Sequence, residues 1–186
     1  MKNYLIISAL IAILFAACKE KKETNQEPPI SVLSIIKGQL NDLDTSLYSI
    51  IKYETANNIT DSVYLKREDV RKFAAPFLSL PEIADKNYYN NYTEERLIDD
   101  QQETLNITCT AKNENAEIQK QIIVIGLADI SSGKVQSIFI DRYIPSKDST
   151  IEQKLFWEVD KYFSIGNIIE KENQPDKTHF TRVTWQ

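Results

Sequence analysis

The chain has little of the residue types from which most catalytic and metal sites are built. Its 186 residues include one histidine, two cysteines and four glycines. A zinc site with several histidine or cysteine ligands is excluded, because His179 stands alone and Cys18 lies far from Cys109. The sequence also lacks glycine-rich phosphate loops and the G-x-S-x-G turn of many hydrolases. We therefore expect no catalytic residue, no metal or other cofactor, and a protein that is not an enzyme.

Positive charge is limited as well. The chain carries 22 lysines and arginines against 27 aspartates and glutamates, which gives a formal net charge of −5. An acidic chain without a basic block is a poor match for the phosphates of nucleic acids, so we expect no nucleic-acid partner. Hydrophobic residues make up 42% of the sequence, which is too large a share for a disordered chain and predicts a folded domain.

The N-terminal segment has the arrangement of a secretory signal. Lys2 precedes an apolar run, Tyr4 to Ala17, of about 14 residues, whereas a membrane-spanning helix requires about 20. Ala16 and Ala17 are the small residues that a signal peptidase accepts before its cut. We therefore expect residues 1–17 to be a signal peptide.

The residue that follows this signal is a cysteine, and Leu14-Phe15-Ala16-Ala17-Cys18 resembles the lipobox of bacterial lipoproteins. Members of that family are cleaved before the cysteine and acylated on its thiol and new amino group. The resemblance implies lipidation of Cys18 with palmitate-type chains and a lipid anchor in the outer membrane of the cell envelope, on its periplasmic or surface-exposed side. Two or more acyl chains hold a protein firmly, whereas one binds only marginally. The alternative is an ordinary secretory signal that happens to precede a cysteine.

Residues 18–29 are predicted to be the lipidated cysteine and a disordered tether, because they are polar and end in a proline pair. Their mixture of lysines and glutamates is similar to the surface-export signals of Bacteroidetes lipoproteins, with a plain solvated linker as the alternative. Cleavage after residue 17 would remove the charge of Lys2 and change the net charge from −5 to −6. Residues 30–186 suffice for a single globular domain.

Apolar residues recur every three or four positions from Ile30 to about Tyr53, which predicts an amphipathic helix. The stripe consists of Leu33, Ile36, Leu40, Leu43, Leu47 and Ile50. We expect it to cover the domain's own sheet, and a coiled-coil seam is the alternative. A second helix is predicted from about Lys66, and Pro76 should kink or shorten it before Pro81 ends it.

The hydrophobic period changes to two after residue 103, which predicts strands, whereas residues 82–103 show no clear period. The strand segments are Leu105–Cys109, Ile118–Leu127, Val135–Ile144, Leu155–Ile169 and His179–Trp185. Residues 155–169 fit one long bent strand with a bulge at Gly166, or two strands in a shared register. Because helices precede strands, we expect an α+β fold with N-terminal helices packed on an antiparallel β-meander of about four to six strands.

A cluster of tyrosines and asparagines at residues 87–92 is the main candidate for a binding surface. Tyr88, Tyr89 and Tyr92 offer flat apolar rings with polar tips, which suit contact with a protein or a sugar. The alternative is that one or two of these tyrosines cap the core and the rest is loop.

Three further features favour structural roles. Glu94 and Glu95 open an acidic stretch that lacks the residue order of a tight calcium loop, so we expect a solvated face compensated by Arg96. Cys109 alternates with apolar residues and is expected to be a small buried side chain. His179 is expected to be a partly exposed strand residue.

Two functions are compatible with these features. The whole pattern is similar to that of Bacteroidetes lipoproteins, a resemblance that brings no known activity with it. We expect a lipid-anchored, non-catalytic interaction or accessory module that docks on another envelope protein or a glycan. The alternative is a small-molecule or glycan-binding carrier, in which helices and a curved sheet enclose a cone-like pocket. An enzyme built on carboxylates such as Glu94 and Glu95 ranks last.

Lipidation at Cys18 can be tested directly. We expect the Cys18→Ser chain to lose incorporation of labelled palmitate and to leave the membrane fraction, because the acyl-accepting thiol is gone. Cys109→Ala is the matched control and should keep both the label and the membrane attachment. Equal labelling of Cys18→Ser and the parent chain would contradict the prediction.

Overall fold

The computed structural model describes residues 29–57, 59–145, 149–171 and 175–185. The predicted signal peptide, Cys18 and all but the last residue of the predicted tether lie outside these ranges. Lipidation and the boundary after residue 17 therefore stay predictions.

Within the described residues, nine strands form one antiparallel sheet in the order β2-β1-β9-β8-β7-β6-β5-β4-β3. The strands are β1 Ile50–Ala56, β2 Ile59–Tyr64, β3 Tyr92–Asp99, β4 Thr104–Ala111, β5 Ile118–Gly126, β6 Val135–Pro145, β7 Thr150–Glu158, β8 Tyr162–Glu170 and β9 Lys177–Trp185. Strands β3 to β9 follow one another as a meander, and the hairpin β1–β2 joins the meander by pairing β1 with β9. The expected antiparallel sheet with a few helices is present, but the expected number of four to six strands was wrong.

The helices are short and few. They are α1 Val32–Thr45, α2 Val70–Phe73, α3 Ala75–Leu78 and α4 Lys86–Tyr89, with 3-10 turns at Arg67–Asp69 and Leu127–Ser132. The Ser31 hydroxyl caps α1 by accepting a hydrogen bond from the Ser34 backbone N–H at 3.2 Å. Pro76 lies in the first turn of α3, where its missing N–H is tolerated, and the second helix is divided between α2 and α3 as predicted.

The first helix ends eight residues earlier than its apolar stripe predicted. Thr45 is its last residue, the Ser46 hydroxyl donates to the Leu43 carbonyl at 2.9 Å, and Leu47 is 99% exposed. Ile50 is buried as predicted, but as the first residue of β1. The three-residue spacing of apolar residues continues beyond the end of the helix by coincidence. The segment that it enters is rich in β-branched and aromatic residues, which favour strands.

The predicted ambiguity at residues 155–169 is resolved as two strands. Strands β7 and β8 pair without a register break, with Leu155 opposite Ile165 and Lys154 opposite Gly166, so the alternative with a bulge at Gly166 was wrong. Asp160 turns the chain with a φ of 64°. Helix α1 holds this turn, because the Gln39 side chain accepts from the Asp160 backbone N–H at 2.7 Å and donates to its carboxylate at 2.9 Å.

The hydrophobic core lies between the helices and one face of the sheet, called here the helical face. At its centre Phe77 of α3 meets Trp157 of β7 edge to face at 5.2 Å between ring centroids, and Trp157 stacks on Phe163 of β8 at 5.0 Å. Trp185 of β9 lies 5.8 Å from Trp157. Both Trp157 and Phe163 are fully buried, so one face of the sheet is closed by packing.

Loss of the Phe77 ring should destabilise the fold strongly. We expect Phe77→Ala to lower the free energy of unfolding by about 3–5 kcal/mol, since it leaves a cavity beside two aromatic rings. Leu47→Ala removes an exposed side chain and should change it by less than about 0.5 kcal/mol. Urea unfolding followed by tryptophan fluorescence measures both values, and a small change for Phe77→Ala would show that the core does not depend on this contact.

Candidate functional site

The opposite side of the sheet, called here the open face, contains a groove. Side chains alternate along β9, so Thr181, Val183 and Trp185 are buried on the helical face. Phe180, Arg182 and Thr184 therefore lie on the open face. These three side chains form one wall of the groove.

The groove runs along β9, β1 and β2 and has a volume of about 640 Å³. We call it the open-face groove. It is lined by Ser49, Ile51, Tyr53, Thr55, Thr60, Phe180, Arg182 and Thr184. Hydroxyl-bearing side chains outnumber apolar ones in this lining, and Arg182 contributes its charged group.

The register of the sheet brings these residues together. Ile51 lies opposite Thr184, Tyr53 lies opposite Arg182, and Thr55 lies opposite Phe180 across the β1–β9 pair. Side chains directly opposite each other on one face are within contact distance. The groove therefore joins residues from both ends of the described chain.

Strand β2 adds the outer wall of the groove. Thr60 of β2 lies opposite Thr55 of β1, and their hydroxyl oxygens are 2.8 Å apart. Either hydroxyl can donate in this pair, and each keeps further capacity to accept a hydrogen bond.

Arg182 is the most unusual side chain of the groove. Its guanidinium carbon lies 3.8 Å from the centroid of the Tyr162 ring, which is a close cation–π contact. Its Nε is buried and finds no hydrogen-bond partner in the part of the chain that the structure describes. Among the described residues no carboxylate forms an ion pair with Arg182, and the contact that its guanidinium makes is with the Tyr162 ring.

The Tyr162 hydroxyl beside Arg182 stays protonated at neutral pH. Burial is the main cause of a raised pKa at Tyr162, and the negative charge of Glu158 raises it further. The Arg182 charge opposes this shift without cancelling it. The ring therefore contacts the guanidinium as a neutral phenol.

The three tyrosines predicted as a binding surface occupy different environments. Tyr92 is only 7% exposed and donates from its hydroxyl to the Ile118 carbonyl at 3.1 Å. Tyr89 is half-buried and donates to Glu94 at 3.1 Å, whereas Tyr88 is 45% exposed. Tyr88 and Tyr92 line a smaller hollow of about 350 Å³, which Tyr89 does not line. A binding role for the three tyrosines stays a prediction.

The acidic stretch is engaged in local structure. Glu94 accepts hydrogen bonds from Tyr89 and from the Arg96 side chain, the latter at 2.8 Å. The Asp99 carboxylate accepts from the backbone N–H groups of Gln101 and Gln102 and so shapes the turn before β4. Within the described ranges no three histidine, cysteine, aspartate or glutamate side chains gather into a potential metal site.

The two remaining candidates have the predicted environments. Cys109 is 4% exposed within the core, which confirms the prediction of a small buried side chain. Burial raises the pKa of its thiol to about 11. His179 is half-buried in β9, opposite Ala56 on one side and Asn167 on the other, which agrees with a partly exposed strand residue.

Comparison of the chain with protein-family models, curated proteins and solved structures finds no match. Function is therefore inferred from the geometry of the site. None of the helices in the described part of the chain combines the length and apolar content needed to cross a bilayer.

The sequence interpretation missed the open-face groove because it assigned β1 to the first helix. Without β1, strand β9 had a neighbour on one side only, so the residues that face Arg182 from the other side were not identified. A usable signal was present: Ile51, Tyr53 and Thr55 alternate with a period of two, and so do Phe180 and Arg182. Neither segment by itself indicates that the two pair as neighbouring strands.

The buried thiol of Cys109 makes stability depend on pH in the alkaline range. Its pKa in the folded chain, about 11, lies above the ordinary value of 9.0. The folded chain keeps this proton while the unfolded chain releases it, so the stabilisation is complete below about pH 9 and is lost as pH rises towards 11. We expect urea midpoints to fall more steeply over this range for the parent chain than for Cys109→Ala. Parallel curves for the two chains would show that the thiol contributes nothing.

Proposed function

We propose that the chain is a lipid-anchored, non-catalytic binding module of the cell envelope that holds a small molecule or a glycan residue in the open-face groove. Acyl chains at Cys18 would attach it to the outer membrane, and residues 19–29 would serve as the tether. The absence of a basic block agrees with a partner other than nucleic acid.

The observation that supports this proposal most directly is the unpaired guanidinium of Arg182. A partly buried charge without a counter-charge is costly, whereas the same charge gains a strong hydrogen bond when an anionic or polar ligand binds it. Arg182 lines a groove of about 640 Å³, which lies within the usual range for small-ligand sites.

The composition of the groove favours binding over catalysis. The described residues that line it supply hydroxyls, apolar surface and one guanidinium, but no carboxylate, imidazole or thiol. General acid–base catalysis near neutral pH usually relies on a carboxylate or an imidazole. A hydroxyl nucleophile would also need a base beside it.

The location differs from that of the carrier predicted from sequence. That alternative placed the ligand between the helices and a curved sheet. Trp157 and Phe163 fill the centre of this space and are fully buried, and among the described strands β2 and β3 are the outer ones, so the sheet does not close. The carrier interpretation is therefore kept with its ligand on the open face.

Docking on another envelope protein, the first function expected from sequence, stays a prediction. The surface best suited to it is the edge strand β2, where Ile59, Val63 and Tyr64 are 69%, 51% and 78% exposed. An edge strand with exposed apolar residues can accept an extended segment of a partner.

Occupancy of the open-face groove can be tested by filling it. We expect the full chain, purified gently from its own membrane and weighed by native mass spectrometry, to carry an additional small mass. Thr60→Trp should abolish that mass, because Thr60 is exposed on the groove wall and a tryptophan there occupies the space. Thr110→Trp is the matched control, since Thr110 is an exposed strand threonine at the far end of the sheet.

A bound mass that survives in Thr60→Trp would place the ligand elsewhere and contradict the proposal. A clean protein mass in the parent chain would also contradict it. If a photo-crosslinker at Ser62 of β2 then gives an adduct of protein size, docking on a partner protein replaces ligand binding as the function.

A further inference from the structure

Among the described arginines, Arg182 and Arg67 have no acidic partner, but Arg67 donates to the Tyr48 carbonyl at 3.3 Å. Arg71 pairs with Asp44 at 2.5 Å, and Arg142 pairs with Glu117 at 2.5 Å. Arg182 instead contacts the Tyr162 ring and leaves its Nε unsatisfied. A ligand that carries negative charge would supply the missing partner.

The stacking geometry favours a planar anion. Tyr162 covers one face of the guanidinium at 3.8 Å, and the N–H donors of a guanidinium lie in the plane of the group. A planar fork of donors matches the two oxygens of a carboxylate. A phosphate is less well matched, because Arg182 is the only cationic side chain among the described residues that line the groove.

The rest of the groove is suited to a ligand rich in hydroxyl groups. Thr55 and Thr60 form a hydroxyl pair at 2.8 Å, and Tyr53 lies directly opposite Arg182. Hydroxyls both donate and accept, which is the capacity that sugar hydroxyls require. Phe180 is 42% exposed at the same wall and offers an apolar surface for the C–H face of a sugar ring.

We propose that the ligand of the open-face groove is an acidic sugar whose carboxylate binds Arg182. This inference rests on the proposed function and makes it specific. The threonine and tyrosine hydroxyls bind the ring hydroxyls, and Phe180 covers the less polar face. A simple fatty acid fits less well, because the lining contains more hydroxyl-bearing than apolar side chains.

Calorimetric titration of the full chain with D-glucuronate and D-glucose tests the inference. These sugars differ at one position, where glucuronate carries the carboxylate. We expect glucuronate to bind at least about tenfold more tightly, a factor typical of one hydrogen bond to a charged group, and its binding to weaken as salt rises. Glucose binding as tightly as glucuronate would overturn the inference.

Variants of Arg182 show whether that residue binds the carboxylate of the ligand. Arg182→Met keeps the length of the side chain and should lose about tenfold or more in glucuronate affinity, whereas Arg182→Lys should keep part of it. Arg71→Met is the matched control, because it removes a different surface arginine and should change nothing. Unchanged affinity in a folded Arg182→Met chain would overturn the inference. If the Arg182→Met chain does not fold, the Thr60→Trp chain is used instead. Retained glucuronate binding by the Thr60→Trp chain would also overturn the inference.

Two further ligands complete the test. One distinguishes a polymer from a free sugar as the source of the acidic sugar, and the other tests whether the groove binds anions in general. A tetrasaccharide containing glucuronate should bind more tightly than the monosaccharide if the natural ligand is a polymer, and equally if it is a free sugar. Hexanoate should bind far more weakly than glucuronate. Equally tight binding of hexanoate would overturn the inference that the ligand is a sugar. A bound mass that is lost in Thr60→Trp, together with no glucuronate binding, would overturn the acidic sugar and leave the proposed function intact.

Discussion

The aromatic cluster in which Phe77 packs against Trp157 and Phe163, and these two against Trp185, is the contact on which the rest of the structure depends. These rings come from α3, β7, β8 and β9, so a single cluster fixes the helices on the sheet. The indole N–H of Trp157 has no hydrogen-bond partner among the described residues, and an unsatisfied buried donor costs about 1–3 kcal/mol. Burial of four large aromatic side chains outweighs that cost. This cluster fills the centre of the helical face, and the open-face groove lies on the other side of the sheet.

The pairing of β1 with β9 creates the open-face groove. The Thr184 hydroxyl donates to the Ile51 carbonyl at 3.5 Å across 133 positions of sequence. Contacts of such separation form only after a large loop has been closed, at an entropic cost. A ligand that touches both strands would bind the folded chain alone and so stabilise this closure. Ligand binding and attachment of the N-terminal hairpin are therefore expected to be coupled.

The sequence was informative where one side of a strand is buried and uninformative at the edges of the sheet. Alternation predicted β4 to β9, because burial of one face imposes a period of two. Strand β3 was missed, since it is an edge strand with charged residues such as Glu94 and Glu95 on both faces. Strand β1 was missed because Leu47 and Ile50 continued the spacing of the preceding helix.

The candidate site depends on contacts between distant residues, which the sequence alone does not show. The tyrosines at residues 88–92 could be found by composition, but their orientation depends on the strand that begins at Tyr92. Pairing with Ala111 and a hydrogen bond to Ile118 turn that ring into the core. The importance of Arg182 arises only from its neighbours in three dimensions, Tyr53 and Tyr162, which are far from it in sequence.

The arrangement of the two faces also bears on how an anchored binding module would work. The chain enters the domain at Ile30, which packs against the core just before α1 and therefore on the helical side. A tether from Cys18 would reach the domain from that side. The open-face groove lies across the sheet from the point of entry, so attachment to a membrane would leave it accessible. An anchor on the same face as Arg182 would instead compete with any ligand for space.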